Sequence, residues 1–131
     1  MKIREPDDLH VHLRDGEMLK LVLPFTARQF QRALVMPNLK PPVTTTEQAL
    51  EYYQRIKSAV PETMHFEPLM SLYLTDHTSP MEIEKTKQSG RIVACKLYPS
   101  GATTNSDSGV TDIQKLDPVF KKMSELDILL L

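Results

Sequence analysis

Short apolar runs alternate with segments of helical periodicity along the whole chain. The runs are four to seven residues long and are bounded by proline, glycine or polar residues, which is typical of buried β-strands. They predict five strands, at residues 8–13, 33–36, 68–74, 92–98 and 128–131.

Four helices are predicted between these strands, and each has a recognisable boundary. Pro24 is expected to end the first helix, because proline cannot donate the backbone hydrogen bond that continues a helix. A capping box that begins at Thr44 or Thr45 opens the second helix, and the Ser-Pro-x-Glu sequence at 79–82 opens the third in the same way. The predicted helices cover residues 17–23, 45–60, 80–89 and 117–126.

The second helix is expected to pack through one apolar face. Leu50, Tyr53, Ile56 and Val60 recur at helical spacing and would form its buried stripe.

The alternation of strands and helices predicts an α/β fold built from parallel βα units. The predicted strands are apolar on both faces, as strands covered on both sides are. In folds of this kind, functional groups collect at the C-terminal ends of the strands. We therefore expect His12, Asn38, Lys96 and the loop at 103–104 to share one rim of the sheet.

The stretch DLHVHLRDG near the N-terminus alternates polar and apolar positions with a period of two. In a strand with this pattern, His10 and His12 lie on one face. The opposite face carries Leu9, Val11 and Leu13. Two imidazoles so placed are able to converge on one metal ion. A strand with two partly exposed histidines is the commoner outcome for an isolated pair, because short metal motifs match many unrelated sequences.

Lys96 lies in an otherwise apolar predicted strand, where a charged ammonium group is costly to bury. One interpretation is a lysine that extends to the end of the barrel or pairs with an acid. The other is a lysine kept neutral by burial and by nearby cations. A neutral amine reacts with carbon dioxide to form a carbamate, whose carboxylate is able to bridge two metal ions.

The segment at 100–109 is polar and rich in small residues. This composition suits a mobile lid over a site. A flexible connector without a function is the simpler interpretation of the composition alone.

Composition narrows the classes of partner. The chain is 40% hydrophobic and 25% charged with a net charge of −1 and no basic stripe, so we expect no nucleic-acid partner. Cys95 is its single cysteine, which excludes an internal disulfide and fits a reducing compartment, here the cytoplasm. The acidic N-terminus has no apolar signal segment, and no apolar run approaches the ~20 residues of a membrane span, so we expect no membrane association.

Four motifs occur in a fixed order: DLHVHLRDG at 8–16, VMPNLKPPVTT at 35–45, KLYP at 96–99 and ATTNS at 102–106. Together they resemble the dihydroorotase family of the amidohydrolase superfamily, in its shorter, single-function form. The resemblance covers the chain from about Ile3 onward. It implies the N-terminal half of a (β/α)₈ TIM barrel, about four βα units plus a fifth strand, in one truncated domain at 1–131.

The resemblance also implies an activity and a metal centre. The family reversibly converts N-carbamoyl-L-aspartate into L-dihydroorotate, a step of pyrimidine biosynthesis, at a centre of two zinc ions. His10 and His12 would bind the more buried zinc ion. Lys96, carbamylated, would bridge both ions.

Four further residues acquire roles by resemblance. Arg14 and Asn38 would hold the carboxylate of the small anionic substrate. Thr103 and Thr104 would belong to a loop that closes over this substrate.

The remaining family positions do not occur in these 131 residues. In the family, two metal-binding histidines follow strands five and six, and the catalytic aspartate follows strand eight. We therefore expect a truncated gene model, a splice product or a fragment that is inactive by itself and poorly soluble or self-associating. His65 and His77 lie outside the family's metal motifs and are expected to be solvated loop residues.

Two alternatives remain at this point. Hydantoinases and allantoinases share the paired histidines and the bridging lysine, but the pair Arg14 and Asn38 suits an anionic substrate and favours dihydroorotase. A non-catalytic fragment that associates with a full-length subunit through an exposed strand edge is the other alternative. The resemblance is also compatible with a homodimer.

Overall fold

Within residues 4–131, five parallel strands in chain order form one sheet. The computed structural model describes residues 4–131, so the start of the family resemblance at Ile3 lies outside the described residues. The strands are β1 (Asp7–Val11), β2 (Arg32–Val35), β3 (Glu67–Tyr73), β4 (Ile92–Lys96) and β5 (Leu129–Leu130). The helices are α1 (Gly16–Ala27), α2 (Thr46–Ala59), α3 (Pro80–Ser89) and α4 (Asp117–Glu125), the last preceded by a 3₁₀ turn at Ile113–Leu116.

The predicted α/β architecture is confirmed as a five-stranded parallel half-barrel. Each predicted strand agrees with an observed one to within two residues at either end. Buried apolar side chains from all four helices join one cluster with side chains of the strands. A smaller cluster of Leu34, Met36 and Ala94 lies apart from it. The prediction that the strands are covered on both faces holds for β2, β3 and β4 only, because residues of β1 and β5 are exposed. Within residues 4–131, none of the helices has the length and apolar character that crossing a membrane requires.

The prediction that Pro24 ends the first helix is wrong, because α1 continues to Ala27. Proline removes the donor that would bond to the carbonyl of Lys20, but Lys20 lies on the exposed face, where water can hydrate that carbonyl. The N–H of Arg28 donates to the Pro24 carbonyl at 3.3 Å. Burial of Leu23 and Ala27 against the core retains the last turn.

The predicted buried face of α2 is correct only in part. Tyr53 and Ile56 are buried, whereas Leu50 and Val60 are half-buried. The helix is rotated because it packs against α1 and α3 as well as β3. Its remaining buried residues are Thr46, Ala49 and Tyr52.

β1 is irregular beside the first histidine. Its pairing with β2 shifts between Asp8 and Val11, and the Asp8 carboxylate accepts the N–H of His10 at 2.9 Å. The shift interrupts the predicted alternation, because Leu13 is buried whereas Leu9 is 68% exposed. Irregularities of this kind reorient side chains near functional sites.

Candidate active site

A pocket of about 340 Å³ lies at the C-terminal ends of β1, β2 and β4. His12 follows β1, Asn38 follows β2, and Lys96 is the last residue of β4. The predicted convergence on one rim is therefore confirmed. All seven residues singled out from the sequence line this pocket, together with Leu97 and Tyr98: His10, His12, Arg14, Asn38, Lys96, Thr103 and Thr104.

The two imidazoles lie side by side in this pocket. The ring centres of His10 and His12 are 5.3 Å apart, and the rings are inclined by 54°. Nδ1 of His12 is buried and has no hydrogen-bond partner among residues 4–131. Burial and then the positive charge of Arg14 lower the pKa of His12, which favours the neutral imidazole. A neutral ring with an unused lone pair is the form that binds a metal ion, so the residues present fit one.

No further His, Cys, Asp or Glu side chain of residues 4–131 joins His10 and His12 as a possible metal ligand. Residues 4–131 contain no group of three His, Cys, Asp or Glu side chains that could hold a metal ion. His65 and His77 are exposed, as predicted, and do not line this pocket. Beside His10 and His12, residues 4–131 therefore supply no third ligand of these four types to a metal site in this pocket.

Lys96 is half-buried rather than fully buried, because it ends β4 and opens onto the pocket. Its Nζ lies 5.5 Å from the centre of the Tyr98 ring. Within residues 4–131 no ion pair joins Lys96 to an acidic side chain. Pairing of Lys96 with an acid therefore finds no support in residues 4–131, and Lys96 lines the pocket together with the two histidines and Arg14.

Arg14 has a left-handed backbone conformation, with φ of 57°. The hydroxyl of Tyr52 donates to its carbonyl at 2.5 Å. The next residue, Asp15, caps α1 by accepting the N–H of Gly16 at 2.9 Å. Arg55 donates to both carboxylate oxygens of Asp15, at 3.1 and 2.9 Å. Two residues of α2 thus contact the chain at Arg14 and at the residue that follows it.

Asn38 connects the pocket to the polar loop. Its side chain is buried, and Nδ2 donates to the carbonyl of Thr104 at 3.0 Å. In return, Nδ2 of Asn105 donates to the Asn38 carbonyl at 3.0 Å, and the Tyr73 hydroxyl donates to the Asn105 carbonyl at 3.3 Å. These contacts favour a loop that belongs to the site over a connector without a function.

Three residues around the pocket received no role from sequence reasoning. Tyr98 lies within the KLYP motif, yet its buried hydroxyl has no hydrogen-bond partner in residues 4–131. Its ring stacks on Tyr73 with centres 4.9 Å apart, and burial raises its pKa to about 12. Tyr52 and Arg55 appear in the sequence only as members of a helix, so nothing local indicates their contacts with the chain after β1.

Comparison with known proteins assigns this chain to a family. The model of the Amidohydrolase family matches residues 8–126, most of the chain. This chain belongs to the amidohydrolase family. The predicted resemblance to dihydroorotases is confirmed by its relatives and structural neighbours, which carry that name.

Two curated relatives are much longer than this amidohydrolase chain. The dihydroorotase of Delftia acidovorans is 63% identical over 131 residues, which is 100% of this chain and 38% of the relative. The dihydroorotase of Picosynechococcus sp. is 61% identical over 129 residues, 98% of this chain and 37% of the relative. The chain thus spans less than two fifths of the length of the curated relatives that it matches.

Solved structures agree with this family assignment. A dihydroorotase from Campylobacter jejuni superposes with a TM-score of 0.88 at 41% identity, covering 96% of this chain and 37% of that one. A Saccharomyces cerevisiae dihydroorotase in complex with 5-fluoroorotic acid gives 0.87 at 38% identity, covering 95% of this chain and 34% of that one. An L-hydantoinase from Arthrobacter aurescens, at 17% identity and a TM-score of 0.72, shares the fold. The half-barrel matches the N-terminal part of the dihydroorotase barrel.

Proposed function

We propose that this chain forms the N-terminal part of a dihydroorotase, a zinc-dependent cyclic amidohydrolase of de novo pyrimidine biosynthesis. The enzyme would interconvert N-carbamoyl-L-aspartate and L-dihydroorotate. The observation that carries this proposal is a single pocket in which two histidines and Lys96 lie beside Arg14 and Asn38. Relatives about 60% identical that are named dihydroorotase support it.

His10 and His12 would hold one zinc ion, and Lys96 would supply a carboxylate that bridges a pair of ions. The buried, unpartnered Nδ1 of His12 supports this assignment. The lysine carboxylate would form when the neutral amine adds to carbon dioxide, making one N–C bond and releasing one proton. When bound, the two ions would supply Lewis-acid activation of water and of the ring amide carbonyl.

Arg14 and Asn38 would bind the substrate carboxylate. The planar guanidinium of Arg14 presents paired donors that match the two oxygens of a carboxylate. An asparagine amide has two N–H donors, and Asn38 uses one for the Thr104 carbonyl. The second N–H remains for the substrate, so substrate binding and the position of the Thr103–Thr104 loop are linked through one amide group.

The proton-transfer step is assigned to no residue of this chain. None of the residues of the described chain that line the pocket is an aspartate or a glutamate. The chain's part in the reaction is therefore to hold the metal ions and to orient the substrate carboxylate.

The location we propose is the cytoplasm. Cys95, the single cysteine of the sequence, is a buried free thiol, and burial raises its pKa to about 12, which keeps it unreactive. An unpaired buried thiol is compatible with a reducing compartment.

Substrate preference tests this proposal. The protein is expressed from its complete coding sequence, and its turnover of L-dihydroorotate is compared with that of hydantoin, which has no carboxylate. We expect a preference for dihydroorotate. We also expect Arg14→Gln to raise the KM for dihydroorotate by about 10-fold or more, because a charged hydrogen bond is lost. The control is Arg91→Gln, since Arg91 pairs with Glu67 away from the pocket. Faster turnover of hydantoin would instead indicate a hydantoinase-like activity.

A further inference from the structure

The conformation of Arg14 requires support from outside its own segment. A φ of 57° lies in the left-handed region, which residues other than glycine, asparagine and aspartate adopt at a cost. Such a conformation persists when surrounding contacts hold it in place. The next residue, Asp15, is fixed as the N-cap of α1. A small rotation of the Arg14 backbone would therefore change the direction of its guanidinium relative to the pocket.

A residue of α2 forms a hydrogen bond with the Arg14 backbone. Tyr52 is fully buried, with 0% of its surface exposed, and its hydroxyl donates to the Arg14 carbonyl at 2.5 Å. Burial raises the pKa of Tyr52 further above its ordinary value, so the phenol stays protonated and remains a donor. A buried side chain has few alternative rotamers, which makes this hydrogen bond a rigid link between α2 and the pocket.

A second contact of α2 acts on the same turn. Arg55 holds both carboxylate oxygens of Asp15, and its guanidinium lies 5.3 Å from the centre of the Tyr52 ring. Tyr52 and Arg55 are i and i+3 on the helix and therefore share a face. One face of α2 thus forms hydrogen bonds with two successive residues, Arg14 and Asp15.

From these contacts we infer that Tyr52 is a positioning residue for anion binding: its hydroxyl holds the Arg14 backbone so that the guanidinium meets the substrate carboxylate. This inference rests on the proposed function, because it takes Arg14 as the carboxylate-binding group. Tyr52 does not line the pocket and so acts through Arg14.

The neighbouring residue is a matched control. Tyr53 lies on the same helix, is also buried, and its hydroxyl donates to Oε1 of Glu67 at 2.9 Å. Glu67 begins β3, at the end of the sheet opposite the pocket. Tyr52→Phe and Tyr53→Phe therefore each remove one hydroxyl and one hydrogen bond, and only the first alters the support of Arg14.

The experiment uses the protein expressed from its complete coding sequence and has three readouts: steady-state kinetics with L-dihydroorotate, calorimetric binding of 5-fluoroorotate, and thermal unfolding. For Tyr52→Phe we expect KM and the 5-fluoroorotate Kd to rise about fivefold, the loss that one hydrogen bond produces, with kcat changed less than about twofold. Tyr53→Phe should lower the Tm while KM and Kd stay unchanged. Equal KM and Kd values in the two variants would overturn the inference, as would a Tyr52→Phe effect limited to the Tm.

Arg55→Gln covers the case in which Tyr52→Phe does not fold. Arg55 is partly exposed, with 44% of its side chain accessible, so its replacement is tolerated more easily. We expect it to raise KM and Kd in the same direction by a smaller factor, and unchanged values would count against the inference.

Arg14→Gln and the wild-type protein together separate failure of the inference from failure of the proposed function. If Arg14→Gln leaves KM and Kd unchanged, Arg14 does not bind the carboxylate and the inference falls, while the proposed function stands. If the wild-type protein neither turns over L-dihydroorotate nor binds 5-fluoroorotate, the proposed function itself falls. If Arg14→Gln weakens binding and Tyr52→Phe does not, the inference alone falls. We expect the effects of the two substitutions on Kd to be non-additive. In the absence of the Arg14 guanidinium, loss of the Tyr52 hydroxyl no longer affects the position of the group that binds the carboxylate.

Discussion

Nδ1 of His12 is a buried nitrogen without a hydrogen-bond partner among the described residues. Burial and the neighbouring Arg14 each disfavour the imidazolium, so the pKa of His12 lies below its ordinary 6.5. The unfolded chain then binds this proton more readily than the folded one. The stability due to His12 is therefore present above pH 6.5 and is lost as the pH falls through the lowered pKa.

We predict that NMR titration of the metal-free protein gives a midpoint for His12 below 6.5. Arg14→Gln should move this midpoint upward, because it removes a positive charge beside the ring. Arg28→Gln is the control, since exposed Arg28 follows α1 and does not line the pocket. A wild-type midpoint at or above 6.5 would contradict the account of this site.

Gly109 occupies a position in the polar loop where no side chain fits. A Cβ there would overlap the carbonyl oxygen of Tyr98 and would lie 2.9 Å from both Ser100 N and Ser106 O. All three are backbone atoms, so the loop itself would have to move. We predict that Gly109→Ala lowers the free energy of unfolding by about 1–3 kcal/mol in urea titrations. Ser108→Ala, at an exposed neighbour, should change it little, and equal stabilities of the two variants would refute the prediction.

Among the helices, α3 supplies a side chain that caps the N-terminus of α2. Ser79 accepts the N–H of Glu82 at 3.2 Å, as the predicted capping box requires. The Glu82 carboxylate does not complete that box, because it accepts the N–H of Thr46, the first residue of α2, at 2.6 Å. One side chain thereby fixes the position of a neighbouring helix.

The cap has a measurable energetic consequence. We predict that Glu82→Ala lowers the free energy of unfolding by about 1–2 kcal/mol, the typical contribution of a partly buried cap with a charged acceptor. Glu84→Ala, which removes the exposed ion pair with Lys122, should cost less than about 0.5 kcal/mol. Chemical denaturation of the two variants provides the comparison, and similar losses would show that the cap contributes no more to stability than the exposed ion pair.

The elements and the location of the pocket are largely predictable from the sequence. Apolar runs and caps are local signals, and the rule that strand ends carry function is enough to bring His12, Asn38 and Lys96 together. The support of Arg14 is not predictable in this way, because Tyr52 lies 38 residues further along the chain. Its contact depends on how α2 rotates against its neighbours. The continuation of α1 through Pro24 likewise depends on tertiary packing, because burial of Leu23 and Ala27 retains its last turn.

At the scale of the whole molecule, the outer strands of the sheet expose apolar side chains. Leu9 on β1 is 68% exposed, and Leu129 and Leu130 on β5 are 59% and 52% exposed. Strand edges with this character pair readily with another chain. We predict that the 131-residue chain, expressed by itself, self-associates in sedimentation velocity experiments, and that lysine at positions 129 and 130 reduces this association. Leu21→Lys on α1 is the control, and a monodisperse wild-type monomer would contradict the prediction.

The pocket at the C-terminal ends of β1, β2 and β4 is, in our proposal, part of a zinc-dependent dihydroorotase site. The most direct test is hydrolysis of L-dihydroorotate together with zinc content, measured on the protein expressed from its complete coding sequence and on its Lys96→Ala and Lys115→Ala variants. Lys115 is exposed and does not line the pocket. We expect full turnover in the wild type and in Lys115→Ala. We expect a loss of more than about 100-fold, with less zinc bound, in Lys96→Ala, since changes even behind metal ligands cost 10–100-fold. Undiminished turnover in Lys96→Ala, or a wild-type protein that contains zinc but does not hydrolyse dihydroorotate, would contradict the proposal.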